Sequence, residues 1–213
     1  MRPLPRLHAV TDSAVISRDE FGTRAAAIAS VGPAVALHAR LPGGSTGQLV
    51  SLTTRLLAHA GPPHASVFVN GRADVARALG AQGVQLGSRE LNAGDARLVL
   101  ASGAPVWIGR SVHSLEEARA AVEEGADYLM VGHLFDTPSH AGAAPGGSEL
   151  LEAVVPLGLP VIAIGGITVD RAAEVHAAGA WGIGAIRALW DAPDAGAAAL
   201  RMLAPWTSAG EMG

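Results

Sequence analysis

Residues 106–114 read VWIGRSVHS, an apolar run that ends in polar groups. Val106 to Ile108 have the β-branched and aromatic character of a strand. Ser114, followed by a glutamate three residues later, forms the capping-box pattern that opens a helix. His113 therefore lies at a predicted strand-to-helix corner. Because the carboxyl ends of parallel strands form the functional face of an α/β fold, an imidazole at this corner can meet a ligand.

The same alternation of short apolar segment and helical stretch repeats along the chain. The predicted strands cover residues 7–10, 34–38, 66–70, 83–86, 106–114, 128–131, 160–164 and 181–186. The predicted helices cover residues 18–31, 48–59, 73–79, 93–101, 115–124, 169–178 and 193–203. Eight such units in roughly 200 residues predict an α/β fold, a (β/α)₈ TIM barrel with residues 1–213 as a single domain. An open doubly wound sheet would use fewer strands, and no G-x-G-x-x-G follows the first strand.

Composition excludes several classes of chemistry. With 49% hydrophobic and 16% charged residues, the 213-residue chain can bury one large core. It has no cysteine, which excludes disulfides and thiolate nucleophiles. All 15 basic residues are arginine, which excludes a lysine Schiff base and a P-loop lysine.

Charge and hydropathy also bound the partners. A net charge of −4 without an arginine-rich run does not support a nucleic-acid partner. No apolar run approaches the roughly 20 residues of a membrane span, and residues 1–6 lack the apolar segment of a signal peptide. We therefore expect a cytoplasmic protein with no membrane partner.

A glycine pair closes the seventh predicted strand. Gly165 and Gly166 would let backbone N–H groups approach an anion, with Thr168 placed to cap the next helix. In barrels the loops after strands seven and eight often form a phosphate site, which adds Ile186 and Arg187 as further donors. A tight turn without a ligand is the alternative for the glycine pair.

His113 is the candidate acid and base. An imidazole can take and return a proton near neutral pH, which no other neutral group in this stretch can do. A structural histidine near a helix start is the alternative. Strand alternation places Ser111 on the same face as His113, so Ser111 is expected in the pocket and Arg110 in an outer salt bridge.

Three further polar residues follow neighbouring strands. Arg40, Asn70 and His133 are expected at the same level of the barrel, where they would contact the substrate. Arg40 suits a carboxylate, and Asn70 suits a ring nitrogen or a carbonyl. A salt bridge and a loop cap are the alternatives. The remaining histidines are scattered along the chain, at His8, His38, His59, His64, His140 and His176. Because no tight ligand spacing appears among them, we expect no metal site.

A long connection follows the sixth strand. Residues 135–147 are rich in small residues and punctuated by proline and glycine. Long loops inside compact domains are often lids, and this position lies over the functional face. We therefore predict a lid at residues 136–147.

At these residues the chain resembles the thiamin-phosphate synthase (ThiE)/TenI superfamily of thiamin-biosynthesis barrels, and its thiazole tautomerase (TenI) branch most. The most specific match is residues 108–118, which resemble the tautomerase segment that carries the catalytic histidine. Supporting segments are residues 7–12, 70–74, 84–86, 127–133 and 161–166. The synthase branch has Asn-Asp-Arg at residues 70–72, Thr-x-Thr-Lys at 137–140 and usually a small residue at 113, whereas this chain reads NGR, TPSH and histidine. The chain departs from the tautomerase pattern too, because residues 41–44 read LPGG where charged residues are usual.

This resemblance implies an isomerase. The reaction would convert a phosphorylated dihydrothiazole carboxylate with an exocyclic alkene into the aromatic carboxythiazole phosphate by proton transfer through His113. It implies a small-molecule thiazole phosphate as substrate, no cofactor, and the possibility of a homo-oligomer. One alternative is a thiamin-phosphate synthase, which joins a pyrimidine pyrophosphate to thiazole phosphate with magnesium. A non-catalytic phosphate-binding or regulatory protein is the other.

Overall fold

Strands and helices alternate throughout the computed structural model, which describes residues 3–61, 63–136 and 146–207. The strands are β1 (Leu7–Val10), β2 (Val35–Ala39), β3 (Ser66–Asn70), β4 (Gly83–Leu86), β5 (Trp107–Val112), β6 (Tyr128–Val131), β7 (Val161–Ile164) and β8 (Gly182–Ala185). The helices are α1 (Ser13–Ile16), α2 (Phe21–Ala29), α3 (Thr46–Ala60), α4 (Ala73–Leu79), α5 (Ala93–Leu100), α6 (Leu115–Glu123), α7 (Gly147–Val154), α8 (Val169–Ala177), α9 (Arg187–Trp190) and α10 (Ala195–Thr207).

The strands close into a parallel barrel in sequence order. Closure occurs at β1, where Leu7 pairs with Val35 of β2 on one side and with Ile183 of β8 on the other. The predicted (β/α)₈ barrel is therefore confirmed, and each of the eight predicted strands is present. The fifth lies within the predicted stretch and runs from Trp107 through Val112.

Glycines and polar caps end and start the helices as the sequence indicates. Helices α4, α6 and α8 are followed by Gly80, Gly125 and Gly179, with φ of 68°, 82° and 88°. Residues other than glycine rarely adopt this left-handed backbone conformation. Ser114 Oγ accepts a hydrogen bond from Glu117 N at 3.1 Å. The Glu117 carboxylate, however, accepts from the backbone of His113, so it does not complete the expected capping box.

Three helices were not predicted. The helix predicted at residues 18–31 is α2, with shorter bounds, and the short helix α1 precedes it. Helix α7 was not predicted, because its start follows the glycine-rich connection directly. Helix α9 is a single turn that opens at Arg187 and was also not predicted. It packs onto the core through Trp190, which stacks on Phe21 of α2 with 5.5 Å between ring centroids.

The core has two parts. Outward-facing strand residues pack against the helices in one large apolar cluster. Inside the barrel lies a smaller cluster that includes Phe68, Tyr128 and Met130. Two buried histidines, His8 and His38, lie against its aromatic rings. None of the helices in the described ranges has the length and hydropathy needed to cross a membrane.

Gly109 provides a test of packing inside the barrel. A Cβ at this position would overlap the ring of Tyr128 and approach Oε1 of Gln85. We expect Gly109→Ala to lower the free energy of unfolding by about 1–3 kcal/mol, the usual cost of overpacking. Urea unfolding measures this change.

Gly47→Ala is the matched control. Its Cβ would meet nothing nearer than Ser45 Oγ at 4.0 Å, within helix α3. Since alanine favours a helix over glycine by up to about 1 kcal/mol, this variant should be neutral or slightly more stable. Unchanged stability of Gly109→Ala would contradict the described packing.

Candidate active site

A cavity of about 620 Å³ opens at the carboxyl ends of the strands. Its lining includes all nine residues that the sequence predicted for the site, namely Arg40, Asn70, Ser111, His113, His133, Gly165, Gly166, Ile186 and Arg187. They come from six different strand ends, up to 147 residues apart in the chain. The barrel therefore brings the predicted residues together, while the role of each stays a prediction.

His113 lies at the mouth of this cavity, just beyond the end of β5. Its side chain is 54% exposed, and its Nδ1 lies 3.2 Å from Oε2 of Glu117. The same carboxylate oxygen accepts the backbone N–H of His113 at 2.7 Å. Glu117 can therefore hold the proton on Nδ1 and leave Nε2 as the basic nitrogen. The sequence pattern indicates Glu117 only as part of a helix cap and gives no sign of this contact.

The side chains of β5 alternate as predicted. Ser111 lines the cavity and accepts a hydrogen bond from Nε2 of the buried Gln85 at 2.9 Å. Arg110 points outward, with its Nε 3.5 Å from a carboxylate oxygen of Glu124. The predicted outer salt bridge of Arg110 is confirmed.

The glycine pair forms one wall of the cavity. Gly165 and Gly166 have φ of 97° and 67°, and a Cβ on Gly165 would collide with the backbone of His133. A Cβ on Gly166 would collide with the carbonyl oxygen of Asp136. The pair is thus required by a tight turn and by close packing against residues 133–136, and both glycines also line the cavity. Thr168 is the N-cap residue of α8, but its side chain makes no capping hydrogen bond, so the predicted cap is wrong in that detail.

Two arginines stand beside the glycine pair. Arg187 donates from Nη2 to Oδ2 of Asp12 at 2.8 Å. Arg171 donates to the carbonyl of Gly166 at 2.8 Å and lies over the ring of Phe135, 4.3 Å from its centroid. Sequence reasoning missed Arg171, because it lies in the first turn of α8, where no motif marks it.

A second cavity, of about 490 Å³, adjoins the first and shares Arg40, Asn70 and Ser111 with it. Arg89 and Glu90 also line it, and neither was predicted. Burial lowers the pKa of Arg40, while the nearby carboxylates of Asp12 and Glu90 oppose this shift.

Charged groups of both signs line the second cavity, since Arg40 and Arg89 are cations and Glu90 is an anion. Glu90 accepts a hydrogen bond from the backbone of Gly87, which holds its carboxylate at this rim. Among the described residues, no group of three or more histidine, aspartate or glutamate side chains forms a ready-made metal cluster.

His8 and His38 are not scattered, as the sequence suggested, but paired beneath the first cavity. His8 Nδ1 lies 2.8 Å from His38 Nε2, and His38 Nδ1 lies 3.0 Å from Oδ1 of Asn70. Burial lowers the pKa of His8 well below its ordinary value and that of His38 to about 4. The pair is neutral at physiological pH. The predicted lid lies for the most part outside the described residues, which stop at 136 and resume at 146.

Comparison with known proteins identifies the family. Residues 7–189 match the TMP-TENI family model, described as thiamine monophosphate synthase. The chain belongs to the thiamine monophosphate synthase family.

Individual relatives agree with this assignment. The thiamine-phosphate synthase of Anaeromyxobacter dehalogenans is 42% identical over 175 residues, which cover 81% of this chain and 78% of the relative. That of Chloroflexus aurantiacus is 38% identical over 204 residues, covering 93% and 91%. The structure of thiamine phosphate pyrophosphorylase from Pyrococcus furiosus superposes with a TM-score of 0.79 at 30% identity, covering 95% of this chain and 96% of that one.

These comparisons revise one expectation. The predicted superfamily and its place in thiamin biosynthesis are confirmed. The names of the relatives support the synthase alternative, a transferase, better than the isomerase that the tautomerase resemblance implies.

The buried histidine pair predicts how stability depends on pH. In the unfolded chain His38 binds a proton below its ordinary pKa of 6.5. In the folded protein burial lowers this pKa to about 4, so His38 stays neutral until the pH falls that far. The free energy of unfolding should therefore fall as the pH drops through this window, by about 2 kcal/mol at pH 4.5 for His38 alone. Urea unfolding at pH 7 and pH 4.5 measures the drop.

His38→Gln isolates this contribution. Glutamine does not titrate, so the drop between the two pH values should be smaller in the variant, whatever its absolute stability. An equal drop in the variant and the wild type would contradict the assignment.

Proposed function

We propose that this protein is a thiamin-phosphate synthase that joins a pyrimidine pyrophosphate to a thiazole phosphate and releases pyrophosphate. The observation that carries the proposal is the pair of adjoining cavities, because a transferase must hold two substrates side by side. Arg40, Asn70 and Ser111 line both cavities, and the reacting groups would meet there. The names of the relatives support the same reaction.

The first cavity would hold the thiazole phosphate. Its wall carries the backbone of Gly165 and Gly166 and the start of α8, where the helix dipole favours an anion. Arg187 adds a planar pair of donors suited to phosphate oxygens. The bond from Arg187 to Asp12 orients the guanidinium along this wall.

The second cavity would hold the pyrophosphate of the pyrimidine substrate. As the thiazole nitrogen forms its bond to the pyrimidine methylene carbon, the carbon–oxygen bond breaks and pyrophosphate leaves with the electron pair. Arg40 and Arg89 line this cavity, and their charges would stabilise the negative charge on the leaving group. Arg40 is the stronger contributor, because it is the more buried of the two.

The synthase branch implies magnesium, and the residues present fit it in a reduced form. Magnesium prefers oxygen ligands and is usually held by one or two carboxylates together with substrate phosphates. Glu90 supplies one carboxylate to the second cavity, while Gly71 stands where the synthase pattern has aspartate. Glu90 would therefore be the protein ligand of an ion held mainly by pyrophosphate. Bound there, magnesium would help to neutralise the leaving group.

A second candidate, the thiazole tautomerase, is favoured by the pair of His113 and Glu117. Their 3.2 Å contact would leave Nε2 of His113 free to remove the ring C2 proton and return a proton to the exocyclic carbon. This reaction needs the first cavity alone. In both reactions the phosphate would bind at the same wall of the first cavity, the glycine wall formed by Gly165 and Gly166.

Assays with the purified protein test the synthase proposal. With both substrates and magnesium, the wild type should form thiamin phosphate and pyrophosphate in equal amounts. Glu90→Gln removes the carboxylate charge and should lower kcat by about tenfold or more. Glu116→Gln, on the exposed face of α6, is the control and should keep wild-type activity. A wild type that forms no thiamin phosphate would overturn the proposal.

His113→Gln separates the two candidates. If the protein is a tautomerase, this variant should lose about 10²–10⁴-fold in conversion of the dihydrothiazole carboxylate phosphate, since it loses its acid and base. If it is a synthase, the wild type should not convert that compound. His64→Gln, an exposed histidine in the loop before β3, is the matched control. Binding of thiazole phosphate without either conversion would indicate the non-catalytic alternative.

A further inference from the structure

A chain of hydrogen bonds runs through the barrel interior to the floor of both cavities. It begins at the carbonyl of Pro5, 3.1 Å from His8 Nε2. It continues from His8 Nδ1 to His38 Nε2 at 2.8 Å and from His38 Nδ1 to Oδ1 of Asn70 at 3.0 Å. Both imidazoles are fully buried, whereas Asn70 is half-buried and lines the cavities.

The carbonyl at one end sets the direction of every proton in this chain. A backbone carbonyl only accepts hydrogen bonds, so His8 Nε2 must carry the proton that it donates to Pro5. Burial disfavours a second proton, and the pKa of His8 is lowered accordingly. His8 Nδ1 is then an acceptor, and it must receive its proton from His38 Nε2. The reverse order would place the lone pair of His8 Nε2 against the lone pairs of Pro5.

The same reasoning reaches Asn70. With its proton on Nε2, a neutral His38 has a lone pair on Nδ1 and needs a donor there. Asn70 has one donor atom, Nδ2, and a half-turn of its amide exchanges Nδ2 with Oδ1 at the position facing the imidazole. With Oδ1 in that position, as the structure has it, His38 would have to carry two protons. The Asn70 contact favours this second proton, but burial opposes it more strongly.

We propose that His8 and His38 are positioning residues that hold the Asn70 amide a half-turn away from its orientation in the structure, with Nδ2 on His38 and with Oδ1 turned toward the cavities. Asn70 then accepts a hydrogen bond from the ligand. Its partner would be an N–H or O–H group of a bound ligand other than the thiazole ring, which has neither, rather than the ring nitrogen or carbonyl that the sequence indicates for it. The inference rests on the proposed function only in taking these cavities as the ligand site.

Nitrogen NMR of the free protein tests the proposal directly. Long-range ¹H–¹⁵N correlation spectra at pH 7, assigned through side-chain correlations, show which ring nitrogens carry protons. We expect His8 and His38 both to be protonated on Nε2 and unprotonated on Nδ1. A proton on Nδ1 of His38, alone or in addition to that on Nε2, would overturn the inference.

Two variants make the test specific to Asn70. Asn70→Asp replaces the amide donor with a carboxylate that only accepts, so Nδ1 of His38 should become protonated and its ¹⁵N resonance should shift to the protonated range. Ser111→Ala is the control, because Ser111 lines the same cavities but is bonded to Gln85 rather than to a histidine. This variant should leave the ¹⁵N resonances of both histidines unchanged. An unchanged His38 spectrum in folded Asn70→Asp would also count against the proposal. Because no substrate is added, these outcomes do not depend on whether the protein proves to be a synthase.

Discussion

The pairing of β1 with both β2 and β8 is the constraint on which the site depends. It places the two residues after β1 between the residues that follow β2 and β8. Asp12 therefore lies between Arg187 and Arg40. It accepts a hydrogen bond from Arg187 at 2.8 Å, and its negative charge stabilises the charged form of Arg40. Two cations that are far apart in the chain are thus held at one rim around a single carboxylate. In an open sheet the β2 and β8 ends would not share this neighbour.

The barrel interior carries the second constraint. Inward-facing positions of such barrels are usually filled by apolar side chains, yet here two imidazoles occupy that space beside Phe68 and Tyr128. Buried polar atoms are costly unless they are hydrogen-bonded. The Pro5 carbonyl and the Asn70 amide meet this need at the two ends of the pair. The interior packing thereby fixes the orientation of a side chain at the cavity floor.

The sequence predicts the barrel and the members of the site better than it predicts their contacts. Strand periodicity and the glycine pair place Gly166, Ser111 and His113 at strand ends, and closure makes strand ends converge. The His8–His38 pair escapes this reasoning, because the two residues meet only through the register of β1 and β2. Helix α7 also escapes it, since no polar cap separates its start from the glycine-rich connection. Motif comparison favours one branch of the family, whereas the second cavity emerges only from the folded positions of Arg89 and Glu90.

The central claim is that the glycine wall of the first cavity holds the phosphate of a thiazole that faces the shared floor. A crystal structure of the protein with thiazole phosphate tests this most directly. The account predicts the phosphate within hydrogen-bond distance of the Gly166 turn and Arg187, with the ring between Asn70 and His113. A phosphate bound at Arg89 and Glu90, or a ring that does not reach Asn70, would contradict it.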